Sequence, residues 1–187
     1  MSLSILTGLS GVGKSTVLEE AVLLSDKEYK VINYGDKMFE ISKERNLVDS
    51  RDEMKEIDTA TYKEVQGEAA EQIFELSKDE NVILDTHATI KTPHGYIPGL
   101  PKWSIEQLSP DKIIMLHASA DEIFERTQGD DRNREHKSVE GIEQYLNVSR
   151  EMAAADAVLT GAYFQIIENP DGGAEKAAEK LVKTLKA

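Results

Sequence analysis

Cysteine is absent from the 187 residues, so neither a disulfide nor a thiolate metal site can support the fold, and the hydrophobic core must hold it unaided. Long apolar runs are missing too. No stretch approaches the roughly 20 residues needed to span a bilayer, and the N-terminus has no basic segment leading into an apolar one. The expected setting is cytoplasmic, with no membrane partner. Positive charge is scarce: 22 Lys and Arg stand against 35 Asp and Glu, a net charge of −13. Phosphate backbones reward clustered Lys and Arg, so this balance argues against a general nucleic-acid-binding surface. No internal repeat or low-complexity segment occurs. What remains, 40% hydrophobic and 30% charged residues, is the composition of a globular chain long enough for one core and one domain over residues 1–187.

The most informative segment is Gly8-Leu9-Ser10-Gly11-Val12-Gly13-Lys14-Ser15-Thr16, a complete G-x-x-x-x-G-K-[ST] pattern. Glycines at 8, 11 and 13 let successive backbone N–H groups wrap an anion at the positive end of the following helix. Lys14 supplies a point charge for the β- and γ-phosphates of a nucleotide, and Ser15 a hydroxyl for Mg²⁺. The flanks suit the motif. Leu3 to Thr7 reads as a buried strand, and Thr16 to Ser25 as a helix.

Four further apolar runs read as strands: Lys30 to Asn33, Val82 to Asp85, Ile113 to His117 and Phe164 to Ile167. Val82-Ile83-Leu84 and Ile113 to Leu116 are continuous rather than alternating, as in a parallel sheet covered on both faces. Helical patterns cover 35–45, 50–57, 59–77, 120–128, 139–159 and 174–185. Ser50/Glu53, Thr61/Glu64 and Ser119/Glu122 have capping-box spacing. Thr92 to Pro101, with three prolines and two glycines, is expected to be a shaped loop, packed by Tyr96 and Trp103. Residues 129–137 are polar throughout and could form a lid. The expected fold is therefore an α/β P-loop NTPase: three layers around a five-stranded parallel sheet.

Chemistry has few other candidates. Asp85 ends the third strand, where open α/β sheets place their ligand crevice, and its carboxylate suits a Mg²⁺ shell. Arg126, Arg132, Arg134 and Arg150 are candidates for contacting a phosphoryl group in transfer, although Arg132 and Arg134 also sit among acidic neighbours with which they can pair. Asn33-Tyr34-Gly35-Asp36 follows the second strand, and Arg51 lies beyond it; a second anionic ligand fits there, as does ordinary capping chemistry. His87 and His94 are not expected to act as bases, because phosphoryl transfer to a phosphate needs positioning and charge rather than proton abstraction.

Together, Gly8 to Thr16, Asn33 to Asp36, Arg51 to Met54, Asp85 to Pro93, Gly95 to Pro101 and Val158 to Ala162 closely resemble the archaeal-type adenylate kinases, nearly end to end. The resemblance implies reversible Mg²⁺-dependent transfer, ATP + AMP giving two ADP, and a homotrimer. It implies an ATP site at Gly8, Leu9, Ser10, Gly11, Val12, Gly13, Lys14, Ser15 and Thr16 with Asn169 beside the base, and metal contacts from Ser15 and Asp85. An AMP-binding helical arm over residues 34–80 would use Asn33, Gly35, Asp36 and Arg51. Thr86, His87, Thr89 and Lys91 would form the wall between the nucleotides. Lys14, Arg126, Arg132, Arg134 and Arg150 would act on the phosphates, three of them in or beside a short lid at 127–138. Lys55 and Thr127 stand where the family pattern commonly has arginine. Two other readings stay open: a kinase for CMP or UMP, and a P-loop ATPase that serves as an assembly factor or switch.

Overall fold

The computed structural model describes residues 1–128 and 138–187, so Arg132 and Arg134 and most of the expected lid lie outside the described residues. The elements run β1 (Ser2–Thr7), α1 (Lys14–Leu24), β2 (Lys30–Asn33), α2 (Tyr34–Glu44), a 3₁₀ turn (Asp52–Lys55), α3 (Thr59–Ser77) and β3 (Asn81–Asp85). They continue with β4 (Thr89–Thr92), β5 (Gly95–Pro98), α4 (Lys102–Leu108), β6 (Lys112–His117), α5 (Ala120–Thr127), α6 (Val139–Thr160), β7 (Tyr163–Glu168) and α7 (Ala174–Lys186).

Five strands form one parallel sheet in the order β2-β3-β1-β6-β7, as the apolar runs predicted. Its three central strands are buried almost throughout, whereas the edge strands β2 and β7 are largely exposed. Alternation along each strand divides the core between the two faces. Leu6, Ile83 and Ile114 join Val17, Ala21, Leu181 and Leu185 of α1 and α7 on one side. Leu3, Ile5, Val82 and Leu84 join Met38, Val65, Ile73 and Ile105 of α2, α3 and α4 on the other. A sheet covered in this way has no polar face, which explains the unbroken apolar strands.

Three local expectations need correction. The segment 92–101 is not an irregular loop: β4 and β5 form an antiparallel hairpin, with Thr89 opposite Pro98 and Thr92 opposite Gly95. Pro93 sits in the connecting turn, Pro98 ends β5 on a two-stranded ribbon with free edges, where a missing N–H costs no ladder bond, and Pro101 is the N-cap of α4. Residues 50–57 hold a 3₁₀ turn at Asp52–Lys55 rather than an α-helix, and Glu53 accepts from the Ser50 hydroxyl and the Asp49 N–H. Thr61 does not cap α3. Asp58 does, accepting from the N–H groups of Ala60 and Thr61, because its carboxylate reaches two orphan donors at once. The third expected capping box, Ser119 with Glu122, is present at α5.

Candidate active site

The sheet positions the site by register. Leu6 of β1 and Asn33 of β2 both lie opposite Asp85 of β3, so three strand ends open into one crevice. After β1 the chain turns towards β2 and β3, and after β3 it crosses to β6 and β7, so the topology switches direction around β1. Carboxyl ends of strands at such a switch point form the ligand crevice of an open α/β sheet.

The P-loop leaves β1 and enters α1 through Gly13, whose φ of 89° is left-handed. A Cβ there would also lie 2.6 Å from Asn169 Nδ2, so both conformation and close approach require glycine. Asn169 is buried, donates through Nδ2 to the Val12 carbonyl at 2.8 Å and through its backbone N–H to the His117 carbonyl at 2.7 Å. It therefore ties the end of β7 to both the P-loop and the end of β6.

Lys14 donates to the Gly8 carbonyl at 3.1 Å and lies 3.5 Å from Asp85 Oδ1. Burial lowers its pKa, and the Asp85 charge and hydrogen bonding oppose that shift. The Gly8 carbonyl also meets His87 Nδ1 at 2.9 Å. A carbonyl only accepts, so Nδ1 must carry the proton. His87 is pushed down to about 4, chiefly by desolvation and then by the Lys14 charge, while its bond to Gly8 acts in the opposite direction. At pH 7 it is a neutral donor engaged to the P-loop.

Asp85 has one oxygen satisfied and one in reserve. Its Oδ2 accepts from Asn33 Nδ2 at 3.1 Å, while buried Oδ1 has no hydrogen-bond partner beyond the nearby Lys14 ammonium. Ser15 is exposed and shares with Asp85 a cavity of about 560 Å³. A lone hydroxyl, one carboxylate whose Oδ1 is held only by the Lys14 ion pair, and open space suit an ion that keeps most of its waters, as Mg²⁺ does. Among the described residues no cluster of three or more acidic or histidine side chains offers a dedicated metal cage.

Across the crevice, a second cavity of about 170 Å³ is lined by Asn33, Tyr34, Gly35, Met38, Arg51, Tyr62, Gln66, Thr86, His87, Ile90 and Gly99. Asn33 caps α2 by accepting from the Asp36 N–H, and Asp36 in turn pairs with Arg51. Gly35 leaves room for that guanidinium, since a Cβ would come within 2.9 Å of Arg51 Nη2. His87 lines this cavity while bonding to the P-loop, so the two halves share a wall. Sequence reasoning missed Tyr62 and Gln66. Both lie on α3.

Other expected residues fall elsewhere. Thr89 is buried, its hydroxyl against Met152 Sδ at 2.9 Å and its carbonyl accepting from Tyr145. It fastens the hairpin to α6 and does not line the cavity. Lys91 lies on the hairpin, its backbone N–H donating to Tyr145 Oη at 3.2 Å. Arg126 is committed rather than open: it binds Asp171 through Nε at 2.8 Å and Nη2 at 2.6 Å, and the Asn169 carbonyl at 3.0 Å. It braces α5 against the loop after β7. Thr127, buried, returns its hydroxyl to the Ile123 carbonyl. Arg150 is exposed and lines a third cavity with His117, Ser119, Glu143 and Asn147, apart from the linings of the other two.

A P-loop at a switch point, with a second polar cavity sharing its wall, defines the class: a P-loop phosphate-binding protein of the α/β type. The same class is seen in comparisons. The AAA domain family model matches residues 7–143. Shikimate kinases from Acinetobacter baumannii and Bacteroides thetaiotaomicron share the fold, with TM-scores of 0.58 and 0.60 at 20% and 18% identity. Those two alignments cover all of this chain and 93% and 99% of theirs. Sequence relatives narrow the class. The adenylate kinases of Methanococcus vannielii and Methanocaldococcus jannaschii are 41% and 42% identical, with 97% of each chain covered. That of Methanopyrus kandleri is 43% identical over 97% of this chain and 96% of its own. The chain belongs to the adenylate kinase family.

Proposed function

We propose that this chain transfers the γ-phosphoryl group of ATP to AMP, reversibly, to give two ADP. The observation that carries the reading is the shared wall: His87 bonds the P-loop carbonyl of Gly8 and also lines the cavity that holds Arg51. Two anion-binding places on opposite sides of one histidine suit a donor and an acceptor brought close for in-line transfer. The P–O bond to the leaving ADP breaks as an AMP phosphate oxygen bonds to phosphorus. No proton must be removed from the acceptor, so a neutral His87 is no handicap.

In this mechanism Lys14 exchanges the Gly8 carbonyl for phosphate oxygens, and His87 continues to hold that carbonyl. The backbone N–H groups from Gly8 to Thr16 cradle the polyphosphate. Arg51 offers a planar fork to the acceptor phosphate, releasing Asp36. Ser15 and Asp85 Oδ1 would hold Mg²⁺, which supplies charge neutralisation to the transferring group. Arg126 keeps the loop at 169–171 against the P-loop, and Arg150 lines neither of the two cavities. The roles given to Arg132 and Arg134 rest on the family resemblance.

A homotrimer also rests on that resemblance, and a cytoplasmic setting on the composition of the chain. Val158 and Leu159 at the end of α6 and Tyr163 at the start of the edge strand β7, which are 84%, 50% and 81% exposed, supply apolar surface for self-association. No described helix is long and apolar enough to cross a membrane. A coupled assay with ATP, Mg²⁺ and each of AMP, CMP and UMP tests the activity. ADP formation with AMP, faster than with the pyrimidine nucleotides, is expected. No ADP from AMP would overturn the proposal.

A further inference from the structure

Tyr145 of α6 gives its hydroxyl to a strand of another element. The residue is only 6% exposed, and its Oη donates to the Thr89 carbonyl of β4 at 2.9 Å and accepts from the Lys91 N–H at 3.2 Å. The Gly99 N–H bonds the Ala88 carbonyl, so along the hairpin the hydrogen-bonded pairs fall at Ala88 with Gly99 and at Ile90 with Ile97. Thr89 and Lys91 therefore turn their main-chain groups outward, and the phenol bonds them where a third strand would. Helix α6 holds the same strand a second time, about two turns on, where Met152 Sδ accepts from the Thr89 hydroxyl at 2.9 Å. The Tyr145 ring also packs on Tyr96 of β5, with centroids 5.4 Å apart. Between the two tethered residues stands Ile90, which lines the acceptor cavity with Arg51. The foot of the hairpin is fixed separately: a Cβ at Gly99 would come within 1.8 Å of the His87 carbonyl.

We propose that Tyr145 is a positioning residue for the transfer: from α6 it sets the depth at which β4 closes the acceptor cavity. Tyr145 lines neither nucleotide cavity and acts through Ile90. A ribbon of two short strands is marginal by itself, so above its fixed foot the wall takes its place from α6 rather than from its own ladder. Donor and acceptor must be held at near-attack distance, where a displacement of about 1 Å lowers the rate by a large factor. The donor side does not depend on this contact, because Asn169 and the P-loop glycines shape it. This inference rests on the proposed phosphorylation of AMP.

The test is Tyr145→Phe in the full chain, which keeps the ring against Tyr96 and removes both hydrogen bonds to β4. With ATP and Mg²⁺, kcat/KM for AMP is expected to fall about tenfold. KM for ATP, and the dissociation constant of ATP measured without AMP, should stay within about twofold of the parent. A tyrosine that served stability alone would lower the melting temperature and leave the constants of the folded fraction alike for both nucleotides. Thr89→Val loses the contact to sulfur while keeping the β-branch, and should act in the same direction by about threefold. Unchanged kcat/KM for AMP in folded Tyr145→Phe, or equal losses for the two nucleotides, would overturn the positioning role and leave the proposed function standing. Failure of the unmodified chain to phosphorylate AMP would remove the proposed function and this inference with it.

Discussion

The two halves of the crevice are built by different means. On the P-loop side Lys14 and Asp85 are 10% and 19% exposed, and they meet beside a backbone whose shape comes from consecutive residues. On the acceptor side Arg51 and Asp36 are 60% and 62% exposed, and the cavity draws on β2, α2, the turn, α3 and the segment after β3. A polyphosphate is a repeating anion that main-chain N–H groups can recognise, so one short motif suffices. Telling one nucleoside monophosphate from another needs side chains, and these must come from several elements.

The comparison breaks most sharply at Lys14. Lys14→Ala is expected to lower kcat about 10²- to 10³-fold with the fold intact by circular dichroism, as befits a lost contact to developing charge. A smaller loss would mean that the backbone cradle alone carries the donor side. Arg51→Ala should act on the other half only, raising KM for AMP about tenfold and leaving KM for ATP in place, because the lost contact is one charge-assisted hydrogen-bonding group. Arg51→Lys should recover only part of this, since an ammonium cannot make the paired contact. An equal rise in both KM values would show the halves to be coupled rather than separate.

Smaller effects appear as pH dependence. His87 is held near 4 in the folded chain against an ordinary value of 6.5, so the unfolded chain binds its proton first. Stability from this site is therefore present above about pH 6.5 and is lost as pH falls towards 4. His87→Asn should flatten that part of a denaturation-midpoint profile. Asp156 on α6 gives the opposite sign in a place outside both halves. Burial raises its pKa from 3.8 to about 7, so stability is fully present below 3.8 and declines as pH rises through 7. Asp156→Asn should raise the melting temperature at pH 8 more than at pH 5. Equal gains at both pH values would remove burial of the charge as the cause.

How far the sequence could be read follows the same division. The five strands of the parallel sheet, α3 and α5 were legible because periodicity and capping are local signals, and Ser119 with Glu122 forms the box its spacing announces. The β4–β5 hairpin was not legible, since Pro93 and Pro98 look like loop punctuation until Pro93 is seen to fall in the turn and Pro98 at the end of a strand with a free edge. Helix α4 was missed because seven residues after Pro101 give too short a pattern. Within the site, Lys14, Ser15, Asp85 and Arg51 were named from spacing and resemblance. Gln66 was not, because a glutamine on an amphipathic helix carries no mark of what it faces.

By itself, then, the sequence determined the anion cradle, the covered parallel sheet and the family, because each is encoded by neighbouring residues or by continuous similarity. Only the tertiary structure decided which polar groups meet. Register set Asn33 and Asp85 side by side and left Oδ1 facing the Lys14 ammonium. Packing of α5 against the loop after β7 committed Arg126 to Asp171. Contact between α3 and α4 turned the Gln66 amide. Hydrogen bonds act over about 3 Å, and residues that lie 37 to 52 positions apart reach that distance only once the chain has folded.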